Sequence, residues 1–309
     1  MRRPRSRGAF SLTLRATYAT LAGMIRFFFG LTAVLGLCSA SAAQAEPLVL
    51  KASSPWNLDY AKDSCRLTRA FGEGKQQVFL IFDRYEPSSQ LDISVIGKPM
   101  ATGSDVHIPV TAGFGPDLPA PARASVLVGD IGPDRLPMLF IGRRDLRNIE
   151  HSETPLTVED EARVTEFTVR TPLRTVVLQT GSLKAPMAAM RACTDDLLEQ
   201  WGLKPTEQAH LTTPPIPTSN PGQWLRSNDY PRSPLLMGAS AIVHFRLMID
   251  PAGKPSGCNV QQATNSPEFT GLTCQLLLKR AQFTPAHDAA GNAIASYYTN
   301  SVRWVVGGL

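Results

Sequence analysis

Residues 241–260 read AIVHFRLMIDPAGKPSGCNV. Val243, Phe245, Leu247 and Ile249 fall on one side of an extended chain, and His244, Arg246 and Met248 fall on the other. That period of two predicts a half-buried strand. Asp250-Pro251-Ala252-Gly253 is a turn sequence, and Cys258-Asn259-Val260 opens the return strand of a hairpin. Further on, Ser266-Pro267-Glu268 predicts a helix start, a cap followed by proline at the first position. Phe269, Leu272, Leu276 and Phe283 continue on one face. The last apolar stretch sets Tyr298, Val302, Trp304 and Val306 on one side against Thr299, Ser301 and Arg303 on the other. A small antiparallel sheet of about three strands with one helix across it fits all of these patterns.

Upstream, residues 203–224 carry Pro205, Pro214, Pro215, Pro217 and Pro221 among Thr, Ser and Asn. This composition predicts a semi-rigid linker without ladder or helix. Residues 46–202 read as a β-rich domain. Val78–Phe82 is an apolar run of strand length, and Leu91, Ile93 and Val95 alternate with polar residues, as do Val106, Ile108 and Val110. Shorter runs at Val126–Val128, Met138–Ile141, Phe167–Val169 and Val176–Leu178 are separated by Gly, Pro and Asp. Short strands with such punctuation predict an antiparallel sandwich or barrel-like sheet. One helix closes the domain: Ser182 caps it, Met187, Met190, Cys193, Leu197 and Trp201 form its core-facing stripe, and Gly202 ends it. The fold class is therefore α+β: a β-rich domain closed by one helix, a linker, and a small α+β domain at 225–309.

The formal net charge of +5 invites a nucleic-acid reading, but the charge is misplaced for it. Residues 1–45 hold Arg2, Arg3, Arg5, Arg7, Arg15 and Arg26 and no acid, so the rest has 25 basic residues against 26 acidic ones. No phosphate-binding field is implied for the folded part. Residues 1–45 read as an export signal: a basic stretch to Arg26, the apolar run Phe27–Cys38, then Ala43-Gln44-Ala45 with cleavage between Ala45 and Glu46. Met24 offers a second start with a leader of more usual length. The apolar core, about 12–17 residues, falls short of the roughly 20 needed to span a bilayer. The expected location is the periplasm; the alternative is an uncleaved anchor in the inner membrane.

Export places Cys65, Cys193, Cys258 and Cys274 in an oxidising compartment, where an even number fits two disulfides. A Cys65–Cys193 bond would fasten the start of the β-rich domain to its last helix. No C-x-x-C, H-E-x-x-H or G-x-S-x-G occurs, so no metal, cofactor or catalytic residue is predicted. His107, His151, His210, His244 and His287 read mostly as solvated surface residues, and Glu159-Asp160-Glu161 as a solvated turn. Phe71-Gly72-Glu73-Gly74-Lys75 lacks the length and the following hydroxyl of a phosphate loop and reads as a turn. An enzyme or small-ligand binder with its site in the β-rich domain remains a rival reading without a supporting motif.

Tyr230-Pro231, Gly238, Val243-x-Phe245, Ile249-Asp250-x-x-Gly253, Ser266 with Leu272, Phe283-x-Pro285-Ala286, Gly291 and a final apolar strand follow one another over residues 230–306. In order and spacing this set resembles the TonB C-terminal domain family, the energy transducers of the bacterial envelope. The transducers combine a membrane-anchored helix, a long proline-rich spacer and this domain. Here the leader looks cleavable, the spacer is short, a β-rich domain intervenes, and Ala239-Ser240 replaces the usual acidic or glycine pair. The resemblance implies a non-enzymatic protein-interaction module. Its mode would be β-augmentation, the final strand taking up an extended segment of an outer-membrane transporter or other envelope protein. Carried over by position, the binding edge is Tyr297–Val305, with Tyr297, Thr299, Ser301, Arg303 and Val305 along it. The alternatives are a true anchored transducer, or an edge covered by the β-rich domain, the linker or a second copy in a homodimer. Cys258 shares the face of Val260 that the helix covers, and Cys274 lies in that helix, so a strand-to-helix disulfide is expected.

Overall fold

Strand-length apolar runs in the first part of the chain stack into two sheets around one core. The structure, a computed structural model, describes residues 46–103, 109–116, 123–149, 156–264 and 267–306. The leader with Ala45, and Val106, His107, Ile108, His151 and Ser266, lie outside the described residues; Glu46 is the first described residue and is exposed.

The β-rich part runs β1 (Leu48–Lys51), β2 (Asn57–Tyr60), β3 (Cys65–Phe71), β4 (Val78–Arg84), β5 (Leu91–Ile96), β6 (Pro109–Gly115), β7 (Arg123–Ser125), β8 (Leu127–Ile131), β9 (Leu136–Arg144), α1 (Val158–Arg163), β10 (Glu166–Arg170), β11 (Thr175–Gln179) and α2 (Lys184–Gln200). Among the described residues these strands form two sheets, of order β2-β3-β4-β5-β9-β8 and β1-β11-β10-β6-β7. All pairings are antiparallel except β1 with β11. Leu67, Leu80, Phe82, Ile93 and Leu139 of the first sheet share one buried cluster with Phe114, Phe167, Val169 and Leu178 of the second, as in a sandwich. Met187, Met190, Cys193 and Leu197 of α2 join it. The disulfide Cys65–Cys193 ties β3 to α2. The helix starts one residue later than Ser182 suggests: Leu183 occupies the cap position, and Ser182 Oγ accepts the Lys184 amide at 3.3 Å.

Glu159-Asp160-Glu161 is not a solvated turn. It lies in α1, where the Thr157 hydroxyl accepts the Asp160 amide and the Asp160 carboxylate accepts the Thr157 amide. Glu161 is 1% exposed and accepts two bonds from the Arg191 guanidinium. The charge run hid a helix because its caps, not its apolar spacing, start it.

The proline-rich stretch is likewise not a free linker. It holds α3 (Pro205–Ala209) and β12 (Ile216–Pro217) and docks on the C-terminal part. Thr212 and Thr218 donate backbone bonds to His287 and Gln282, and His287 donates to Thr213. Ile216 and Pro217 pair with Thr284 and Phe283. Proline is tolerated here because the ladder is a short edge, and Pro205 sits in the first turn of α3, where its missing N–H costs nothing.

The C-terminal part continues with α4 (Arg232–Leu236), β13 (Ala241–Ile249), β14 (Pro255–Ala263), α5 (Pro267–Arg280), β15 (Phe283–Thr284), β16 (Ala286–His287), β17 (Ala293–Ile294) and β18 (Ser296–Trp304). The sheet order is β14-β13-β18, antiparallel throughout, and α5 lies across it. Phe283 is not on the helix, which stops at Arg280, but its ring enters the same core beside Trp224 and Tyr298 at 5.5 and 5.0 Å. The disulfide Cys258–Cys274 joins β14 to α5.

The Asp250–Gly253 spacing has a steric cause. Asp250 Oδ1 accepts the amides of Ala252 and Lys254, both at 2.9 Å, which curls the turn. Gly253 then has φ +78°, and the Phe283 carbonyl oxygen approaches so closely that a Cβ would lie 2.0 Å from it. Gly253→Ala should therefore destabilise the protein by about 1–3 kcal/mol, read by denaturant unfolding. In the same assay, replacing Cys258 and Cys274 with serine should cost about 3 kcal/mol, and replacing Cys65 and Cys193 about 5 kcal/mol, since the second pair closes the longer loop. Equal costs would contradict the loop-entropy account.

Candidate functional site

In β13, alternation places Val243, Phe245 and Leu247 under α5, which leaves His244, Arg246 and Met248 on the opposite face. Register carries that outer face onto β18: Met248 pairs with Tyr297, Arg246 with Thr299, His244 with Ser301 and Ile242 with Arg303. This face is only partly solvated. The β2–β3 turn, the β4–β5 loop and the end of α2 cover part of it.

Arg246 forms the centre of that contact. Its guanidinium lies 3.8 Å from the Trp201 ring centroid and 3.4 Å from Asp63 Oδ1, and its side chain is 5% exposed. Burial lowers its pKa, against the raising effect of Asp63. His244 stacks on Tyr85 with ring centroids 5.6 Å apart, and burial lowers its pKa. The expected solvated histidine is thus an interface residue. The Tyr85 hydroxyl donates to Gln262 Oε1, and Gln261 donates to the Tyr85 carbonyl at 2.9 Å. Asn259 donates to Asp63 Oδ1 at 3.3 Å. His210 is exposed and holds the Thr206 carbonyl at 2.7 Å, and His287 serves, through its backbone, the ladder that docks the proline-rich segment 203–224, the strap.

This cover divides the edge residues in two. Tyr297 packs edge-on against Trp201 at 5.3 Å, and Thr299 donates to Glu86, whose carboxyl is pushed up by burial. Those two side chains, expected to face a partner, instead face the β-rich domain. Ser301, Arg303 and Val305 are exposed. The structure thus separates residues that the sequence pattern lists as one row, because the second half of the row runs past the end of the β-rich domain.

The backbone edge of β18 is a different matter. Among the described residues no strand pairs with its outer side. The Ser301 amide turns away from β13 and donates to the Asn300 side chain at 2.8 Å. Asn300 through Val305 line one wall of a groove of about 470 Å³, and the segment Pro221–Tyr230 forms the other. Trp224, Tyr230 and Val302 supply apolar surface to it; Arg226 and Arg303 line it too, and no acidic side chain does. Asp229 and Arg280 fix the far wall by a two-point ion pair at 2.5 and 2.9 Å, while Arg280 also donates to the Trp224 carbonyl at 2.8 Å. A second groove, about 460 Å³, follows the first half of β18 between the loop Glu86–Ser89 and the strap residues Gln208–Pro215. Gln208 donates to the Ala295 carbonyl at 3.0 Å and accepts from Ser296, which narrows access there. The proline-rich segment and the β4–β5 loop line these grooves, and sequence reading missed both; the Trp224-Leu225 pair amid prolines was the available signal.

No group of three or more His, Cys, Asp or Glu side chains among the described residues is arranged to hold a metal ion. No helix among the described residues is long and apolar enough to cross a membrane. No curated protein and no solved structure matches the chain. The hairpin, the crossing helix and the open last strand instead find their counterpart in a family: residues 226–306 match the model of the Gram-negative bacterial TonB protein C-terminal.

Proposed function

We propose that this chain is a periplasmic interaction protein whose β18 edge takes up an extended segment of another envelope protein, an outer-membrane transporter of the TonB-dependent kind being the natural partner. The carrying observation is the groove beside Asn300–Val305. It offers an unpaired strand edge, an apolar floor and a basic lining within one opening. Main-chain bonds to such an edge give affinity, and the walls select side chains. Arg226 and Arg303 favour a segment carrying a carboxylate. The family match supports an envelope and transport-related role for residues 226–306.

The binding surface is narrower than the row Tyr297–Val305. Ser301, Arg303 and Val305 face the partner, while Tyr297 and Thr299 hold the β-rich domain. In this reading residues 1–45 are removed between Ala45 and Glu46, and the protein binds without transmitting force from an inner-membrane motor. Sequencing the N-terminus of the protein recovered from cells tests that part: a start at Glu46 is expected, and a retained leader would favour the anchored transducer.

The edge itself is tested by Ser301→Pro. The Ser301 amide serves only the Asn300 side chain, so its loss leaves the β13–β18 ladder intact. A photo-crosslinker at Val305 should label an extended segment of an envelope protein. Ser301→Pro should weaken that capture about tenfold or more without lowering the melting temperature. Capture that survives the proline in a folded protein would sink the edge model, and label confined to a second copy of the chain would make the edge a dimer contact instead.

A further inference from the structure

Arg84 ends β4 on the core face of its sheet, paired across the ladder with Cys65. It is 4% exposed, and its Nε has no hydrogen-bond partner. Among the described residues its guanidinium makes neither a hydrogen bond nor an ion pair. An unpaired buried charge is strongly unfavourable, and the surrounding fold keeps this one where leucine or methionine would pack. Burial, with Arg191 adding to it and Glu161 opposing, pushes its pKa down to about 10, which still leaves it charged at neutral pH.

Arg84 lines a cavity of about 230 Å³ between the loop Pro87–Ser89 and the helices α1 and α2. Glu161, Arg191 and Thr194 contribute to its wall. The Arg191 charge is already taken by Glu161, with one N–O distance of 3.2 Å. Asp195, at the exposed rim, adds a second negative charge. The formal charges around the cavity therefore balance, but Arg84 is buried without an ion pair to either carboxylate. Gln90, which follows the same loop, holds a buried side-chain amide whose nitrogen and oxygen are both unpartnered. The cavity holds the equivalent of roughly seven or eight waters at about 30 Å³ each, room for a head group and a short side chain but not for a nucleotide.

We propose that this cavity is a binding site for a single carboxylate, that of a small organic acid or of a peptide C-terminus, with Arg84 as its counter-charge. A guanidinium fork matches the two oxygens of a carboxylate. Glu161 and Asp195 stand close enough to disfavour a dianion, so a phosphate monoester fits the charge balance less well. Ser88 and Ser89 wall both this cavity and the groove beside the first half of β18, so an occupant of the cavity sits one loop away from the strand edge.

Calorimetric titration of the full-length protein with four probes tests the site: propionate, N-acetyl-alanyl-alanine, its C-terminal amide and inorganic phosphate. Saturable binding of propionate or of the free-acid dipeptide is expected, with none for the amide. The tighter of the two acids identifies the source of the carboxylate. Arg84→Met should weaken binding at least tenfold while the protein still melts cooperatively, at or above the wild-type temperature, because the change removes an unpaired charge. Ser89→Trp fills the cavity from the loop and should weaken binding as strongly without touching Arg84. Absence of binding by both acids, binding of phosphate alone, equal binding of the amide, or unchanged affinity in either folded variant would overturn the proposal.

Discussion

A sheet of three strands has two faces, and a single helix can cover only one. In the C-terminal part α5 covers the face of Val243, Phe245 and Leu247, so the other face must be polar or be covered by something else. Here it is covered. Arg246, which a free sheet would present to water, lies between the Trp201 ring and Asp63. Removing a guanidinium from water is costly, and the ring face and the carboxylate each offset part of that cost. Tyr85 on His244, Trp201 on Tyr297 and the Asp63 contacts to β14 surround that centre. The β-rich domain therefore serves as the second layer of the small domain.

That arrangement constrains the strap. Trp201, at the end of α2, contacts the outer face of the sheet, whereas Trp224 enters the core on the α5 side. Residues between the two tryptophans must carry the chain from one side of the sheet to the other. They do so past the β18 edge, with Gln208 bonded to Ala295 and Ser296 and Pro221–Tyr230 walling the larger groove. The prolines hold this path stiff, and the short ladder of Ile216 and Pro217 on β15 anchors its middle.

Much of the local structure was legible because it depends on local physics. The alternation in β13, the Asp250 turn, the α2 stripe and most strands of the sandwich follow from periodicity and turn chemistry, and the four cysteines pair within their own domains. The short strands β1 and β2 escaped notice because four residues carry too little pattern. The helix α1 escaped because acidic caps, rather than an apolar stripe, define it. The larger misses concern contacts between distant parts of the chain. Nothing in the sequence near Thr299 announces that Glu86 lies against it, 213 residues earlier. Outward-facing polar residues on a strand look alike whether they meet water, a partner or another domain of the same chain. The edge was therefore readable as an edge, but its free half was not.

The half-covered edge bears on how a partner strand would align. An edge strand with both faces open specifies register weakly, since a shift along it loses few contacts. On β18 the two halves differ. Beside Tyr297 and Thr299, a visiting side chain on the outer face would meet the loop Glu86–Ser89, whereas beside Ser301, Arg303 and Val305 it meets solvent. The β-rich domain thus sets a stop at one end of the available edge. A one-residue slip would move the partner's side chains to the opposite faces. A two-residue slip toward Thr299 would keep the faces but require Glu86 to be displaced from its hydroxyl partner while its carboxyl is still held by burial in a raised-pKa state. In the proposed mode, register is therefore imposed by a domain that the family match does not include. The same cover that removes Tyr297 and Thr299 from the binding surface makes the remaining residues selective.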